Sequence, residues 1–232
     1  LAEVQQLIGA VTASLGGFLS LLTVVVLVAA PLLAVPIAYG FTDEPAKFDL
    51  FVTMLRITFP YLLLISLTAL CGAILNSYGR FAIPAITPAL LNVSLIGCAF
   101  LLSPNFATPE LALAWGVLLA GVVQLMFQLP FLARLRLLPV PRPVSGHEGV
   151  QRIKTLMVPA LFGVSVSQIN LLLDTVIASM LVAGSVSWLY FSDRLMELPL
   201  GIFGVAIAIV VLPILSRKHA EQSMSEFADT LD

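Results

Sequence analysis

Long apolar runs separated by short polar intervals set the pattern of this chain. The runs cover about 7–38, 50–75, 84–102, 111–135, 155–182 and 186–215. Each is long enough to cross a bilayer core, which takes about 20 residues of α-helix. None alternates strictly between apolar and polar positions, as a barrel strand would. A helix also satisfies its own backbone groups in lipid. The pattern therefore predicts an all-α integral membrane protein of about six transmembrane helices. Pro31 and Pro36 interrupt the end of the first run and Pro60 the second, whereas Pro84 and Pro88 fall in the opening turns of the third. Proline is tolerated in opening turns because the first amides of a helix have no intrahelical acceptor.

The polar intervals fix an orientation. Basic residues are retained on the cytoplasmic side of a membrane. Arg80, Arg134, Arg136, Arg142, Arg152, Lys154, Arg217 and Lys218 all fall on one side, Lys47 stands alone on the other, and Arg56 and Arg194 lie within spans. The expectation is that both ends, the 76–80 turn and the 134–154 interval are cytoplasmic, and that the 42–49 and 103–110 loops are external.

Composition agrees and narrows the classes. The 232 residues are 59% hydrophobic and 10% charged, against roughly a quarter charged in a soluble domain. A formal charge of −2 with no basic stripe argues against a nucleic-acid partner. Cys71 and Cys98 sit within apolar runs, without the spacing of a disulfide or metal motif, and read as small buried hydrophobes. The chain opens on Leu1 with no charged amino-terminal region from which to read a signal peptide, and it stops after a polar stretch, so both ends read as cut.

Ionisable residues inside spans are rare and usually face a bundle interior or a water-filled cavity, because each costs about 2.5 to 3.5 kcal/mol at the helix centre. The sixth run carries Asp193, Arg194 and Glu197. At helical spacing, Ser187, Tyr190, Arg194, Glu197, Gly201 and Gly204 share one face. Arg194 stands roughly 12 Å below the start of its span at 1.5 Å per residue. Its guanidinium suits bidentate contact with phosphate or carboxylate, so Arg194, Glu197 and Asp193 are candidate substrate-binding residues. The competing reading is an ion-pair network that pins helices and touches no ligand. On the fifth run, Gly163, Ser167, Asn170 and Asp174 share a face and offer oxygen ligands with one negative charge. That set suits Na⁺ or a proton, although Asp174 could equally pack against a basic residue or stay protonated. Gln168, Thr175 and Ser179 form a second stripe suited to interhelical hydrogen bonding. Arg56 is expected to snorkel to the headgroups.

Two stretches carry a family resemblance: ITFPYLLLISLTALCGAILNSYGRFAIPAITPALLN at Ile57–Asn92 and SVSWLYFSDRLMELPLGIFGVAIAIVVLPILS at Ser185–Ser216. LALAWGVLLAGVVQLMFQLP at Leu111–Pro130 and VPALFGVSVSQINLLLDT at Val158–Thr175 fit as well. Together they resemble the MurJ/MviN family of the multidrug/oligosaccharidyl-lipid/polysaccharide exporter superfamily over nearly the whole chain. The resemblance implies a fourteen-helix, two-lobed transporter of which this stretch is helices three to eight. Residues 1–138 would finish the first lobe, 139–154 would form the cytoplasmic inter-lobe linker, and 155–232 would begin the second lobe. The implied activity is the flipping of lipid II, the undecaprenyl-diphosphate-linked peptidoglycan precursor, across the bacterial inner membrane. By the same resemblance Arg194 matches an essential cavity arginine, Glu197 the acid of the same segment, and Asp174 an acid of a sodium site. The implied partners are lipid II, membrane lipids and the helices of the polypeptide outside this stretch, with Na⁺ or H⁺ as coupling ion and no other cofactor.

Three rivals differ in what they require. Another exporter of the superfamily, for drugs or polysaccharide lipids, would lack the SDRLMELP segment. A polyprenyl-lipid intramembrane enzyme would need a nucleophile, base or metal cluster in the membrane, yet His147 and His219 both lie in cytoplasmic segments. A scaffold would need its charges fully paired.

Overall fold

The computed structural model describes residues 2–142, 148–199 and 201, with the side chain of Ser167 outside that description. Seven α-helices occur among these residues: α1 (Ala2–Ile37), α2 (Pro45–Thr58), α3 (Tyr61–Ser77), α4 (Ala82–Leu101), α5 (Glu110–Arg134), α6 (Glu148–Ser179) and α7 (Ser185–Pro199). Among the described residues five segments are long and apolar enough to cross a membrane: α1, the α2–α3 pair taken together over Pro45–Ser77, α4, α5 and α6. The expected sixth span starts as α7, and residues 202–215 of it lie outside the described residues, as does the tail to 232.

The boundaries depart from expectation where local chemistry intervenes. The second span is two helices because Pro60 has no N–H to continue the ladder; Phe59 N–H still bonds Leu55 O at 2.9 Å, and Leu62 N–H restarts on Phe59 O at 3.0 Å. The fifth helix begins at Glu148 and not at 155. Its first residues, Glu148 to Lys154, carry the charged and polar helix formers Glu148, Gln151, Arg152 and Lys154, so the helix outruns the apolar run. The expected linker 139–154 is accordingly helical over its last seven residues.

The chain divides into two compact units, Leu1–Val176 and Ile177–Asp232. That division falls inside α6, beyond the interval 139–154.

In the first unit α5 packs against α2, α3 and α4, while α1 packs against α2 and α3. Small residues allow this closeness, as is common where helices meet in a membrane. A Cβ on Gly121 would lie 2.7 Å from Tyr61 Cδ2 and 3.0 Å from Leu64 Cβ. One on Gly116 would lie 3.1 Å from Cys98 Cβ. Ile8, Cys71, Ile74, Leu75, Leu132 and Leu137 form an apolar core where α1, α3 and the end of α5 meet.

Two turns close beside that core. Gly79, at φ +71°, takes the left-handed conformation and lets Arg80 N–H bond Leu75 O at 2.9 Å. Arg136 does the same after α5 at φ +60°, and Leu137 N–H bonds Leu132 O at 3.0 Å. The segment then runs back over the start of α1, where Gln5 Nε2 donates to Arg136 O at 2.7 Å and Arg142 N–H to Gly9 O at 3.0 Å. From Gln151 to Asp174, every described side chain of α6 is exposed.

In the second unit a turn at Gly184, with φ +101°, leads into α7. Trp188 N–H bonds Gly184 O at 2.9 Å.

Candidate functional site

Three residues of the polar stripe expected on the sixth span touch one another. On α7, Arg194 Nη1 donates to Glu197 Oε2 at 3.0 Å, one turn along. The Arg194 guanidinium carbon also lies 5.2 Å from the centre of the Tyr190 ring. Tyr190, Arg194 and Glu197 are thus a contiguous ladder of ring, cation and carboxylate, formed because positions three and four apart on a helix are neighbours. The Arg194 and Glu197 side chains are 61% and 66% exposed among the described residues. An arginine held in this way is oriented on one side and keeps donors for a planar anion. Asp193 is half-buried on the same helix and makes no ion pair with Arg194. Gly201 is described and Gly204 is not, so the inner end of the stripe lies outside the described residues.

On α6, Asn170 and Asp174 are both exposed, and among the described residues neither side chain has a hydrogen bond or an ion pair. Ser167 belongs to the same helix, and its side chain lies outside the described residues. Asp174 therefore has no basic partner among the described residues.

Arg56 is exposed and also reaches the neighbouring helix. Its Nε donates to the Leu27 carbonyl of α1 at 3.2 Å. In an unbroken helix that carbonyl would accept from residue 31, four positions on, but residue 31 is proline. Arg56 supplies the missing donor from the neighbouring helix.

The sequence reading also missed a polar network in the first unit. Tyr61 OH donates to Gln124 Oε1 at 3.3 Å, and Gln124 Nε2 to Thr87 O at 3.2 Å. Gln128 Nε2 donates to Thr87 Oγ1 at 2.9 Å, whose own proton goes to Ile83 O at 2.8 Å. The signal was present in Gln124 and Gln128, two amides one turn apart within an apolar run.

Five helical segments long and apolar enough to cross a bilayer, among the described residues, define a multi-pass membrane protein. The comparisons name the family. The model of the lipid II flippase MurJ family matches residues 2–232. A probable lipid II flippase MurJ of Haemophilus influenzae is 46% identical over 99% of this chain and 48% of its own length. That of Vibrio cholerae is 57% identical over 80% of the chain and 35% of its own length. The lipid II flippase MurJ of Burkholderia cenocepacia is 41% identical over 98% of the chain and 45% of its own length. The chain belongs to the lipid II flippase MurJ family. It spans about half the length, or less, of these relatives.

Proposed function

We propose that this chain is part of a flippase that moves lipid II across the bacterial inner membrane by alternating access, with the carrier diphosphate held by Arg194. The observation that carries this reading is the exposed, pre-oriented Arg194 guanidinium on α7, paired on one edge with Glu197 and stacked near Tyr190. Glu197 sets its orientation, and Asp193 limits how tightly an anion is held, which favours release on the far side. Transport forms no covalent bond, so the site has only to exchange the diphosphate between the two membrane faces, and an enzyme is not required.

In this reading 139–154 joins two lobes, both ends of the stretch are cytoplasmic, and Asp174, with Asn170 and Ser167, takes the coupling Na⁺ or proton. The helices that the relatives carry beyond this stretch complete the cavity. Replacing Arg194 by alanine in the full-length protein should abolish growth of a flippase-depleted strain while membrane insertion and protein level stay normal. Full complementation by R194A would end this assignment. Arg194→Lys keeps the charge but loses the planar fork, and should retain only part of the activity.

A further inference from the structure

α4 begins and α5 ends at the same face of the first unit, and a recess of about 190 Å³ lies between those two ends. Arg80, Ile83, Phe131, Arg134 and Leu135 line it. Arg80 stands just before the α4 span, which opens at Ala82, and Arg134 closes the α5 span. Both guanidinium groups therefore belong to headgroup depth. Tyr78 and Phe81, close to Arg80 in sequence, are exposed, and exposed aromatic residues of this kind mark the same level.

The recess joins uncompensated positive charge to an apolar wall. Arg80 and Arg134 are exposed, and among the described residues neither side chain makes a hydrogen bond or an ion pair. From Leu50 to His147 the sequence holds one acid, Glu110, which opens α5 at its far end. Glu3 and Glu148, at the starts of α1 and α6, are exposed and enter no ion pair among the described residues. The rest of the lining, Ile83, Phe131 and Leu135, is apolar. The Arg134 guanidinium carbon lies 5.9 Å from the centre of the Phe131 ring, which holds that cation along the wall. The backbone at each arginine is tied back into a helix, Arg80 N–H to Leu75 O at 2.9 Å and Leu135 N–H to Phe131 O at 3.3 Å. A lone arginine at a helix end snorkels to whichever headgroup is near. Two of them around one recess fit a single phosphate ester, and the apolar wall favours an ester that carries an alkyl part over a free anion.

We propose that this recess holds one anionic phospholipid of the surrounding bilayer, with its phosphodiester between Arg80 and Arg134 and its glycerol and first acyl carbons against Ile83, Phe131 and Leu135. Basic recesses between membrane helices on the cytoplasmic side take anionic headgroups in this way. The bound lipid offsets the repulsion between two cations that line one recess and ties the start of α4 to the end of α5. The leaflet is the cytoplasmic one under the orientation proposed above; nothing else here rests on the transport reading, and none of the residues assigned to the transported lipid takes part.

The test is native mass spectrometry of the purified full-length protein, stripped of lipid and titrated with phosphatidylglycerol. The wild type should retain one lipid more tightly than any other. Arg80→Gln with Arg134→Gln should weaken that binding about 25-fold, a factor of about five for each arginine. Arg152→Gln with Lys154→Gln removes the same amount of charge from the same side of the membrane and should leave it unchanged. Unaltered binding in the first variant, or an equal loss in the second, would overturn the proposal. Inorganic phosphate and glycerol 3-phosphate, at the concentration of the lipid, should not displace it; displacement by either would mean a site for a soluble phosphate. A wild type that holds no lipid tightly would mean that the two arginines are paired elsewhere in the polypeptide, which also overturns the proposal. If the double variant does not fold, a phosphatidylglycerol with a photo-reactive group on its glycerol decides on the wild type: it should label residues 80–83 or 131–135, and labelling only elsewhere would refute the site. Arg194→Ala should leave lipid retention unchanged, so failure of this proposal is distinguishable from failure of the transport reading.

Discussion

The pairing of Arg56 with Pro31 makes a prediction that a proline and an arginine far apart in sequence are energetically coupled. Pro31 deprives the Leu27 carbonyl of its helical donor, and Arg56 Nε replaces that donor at 3.2 Å. Other prolines lie inside described helices, at 36, 88, 130, 159 and 199. Among the described residues, only at Leu27 does a side chain reach the carbonyl four residues before such a proline. Arg56→Ala removes a charge-assisted hydrogen bond and leaves that carbonyl without a partner, which costs about 1 to 3 kcal/mol. Polar contacts between membrane helices average nearer about 0.6 and reach about 1.7 kcal/mol, so about 1 to 1.5 kcal/mol is expected here. Pro31→Ala restores the N–H, and in that background Arg56→Ala should cost little more than lost side-chain packing. The measurement is a double-mutant cycle by thermal or steric-trap unfolding of the full-length protein, with a predicted coupling of about 1 kcal/mol. Costs that add to within about 0.3 to 0.5 kcal/mol would refute the reasoning.

Further substitutions test the packing and the polar network. Gly121→Ala drives a methyl to within 2.7 Å of Tyr61 and should destabilise by about 1 to 3 kcal/mol, whereas Gly16→Ala, which meets nothing within 4 Å, should be neutral or gain up to about 1 kcal/mol; unfolding midpoints separate the two. Arg136→Gly relieves a left-handed backbone at φ +60° and should stabilise by about 1 kcal/mol, whereas Arg136→Ala keeps the strain and should bring no such gain. Thr87→Val keeps the shape but removes the acceptor of Gln128 Nε2. It should cost about 1 to 3 kcal/mol, and adding Gln128→Leu should recover part of that loss.

The helices themselves were legible in advance. Four of the observed spans match the apolar runs to within a few residues at most ends, because insertion into hydrocarbon depends on local composition. The start of α6 was misplaced because hydropathy marks where a helix meets lipid and not where it ends in water; polar helix formers carry it on. The ladder of Tyr190, Arg194 and Glu197 was also legible, since it is made within one helix at fixed spacing.

Contacts between helices were not legible. Arg56 reads as a snorkelling side chain until α1 is placed beside α2, and Gln124 and Gln128 read as scattered amides until Thr87 is placed opposite them, 37 and 41 residues away in sequence. The chain by itself determined how many times it can cross the membrane, which helix face carries charge and, through its motifs, the family. Tertiary structure alone decided which carbonyl Arg56 supplies, why Gly121 has no side chain, and which groups Gln124 and Gln128 meet. The reason is physical: transfer into lipid sums over neighbouring residues, whereas a hydrogen bond between helices depends on the rotation and axial register of both, and no single run specifies those.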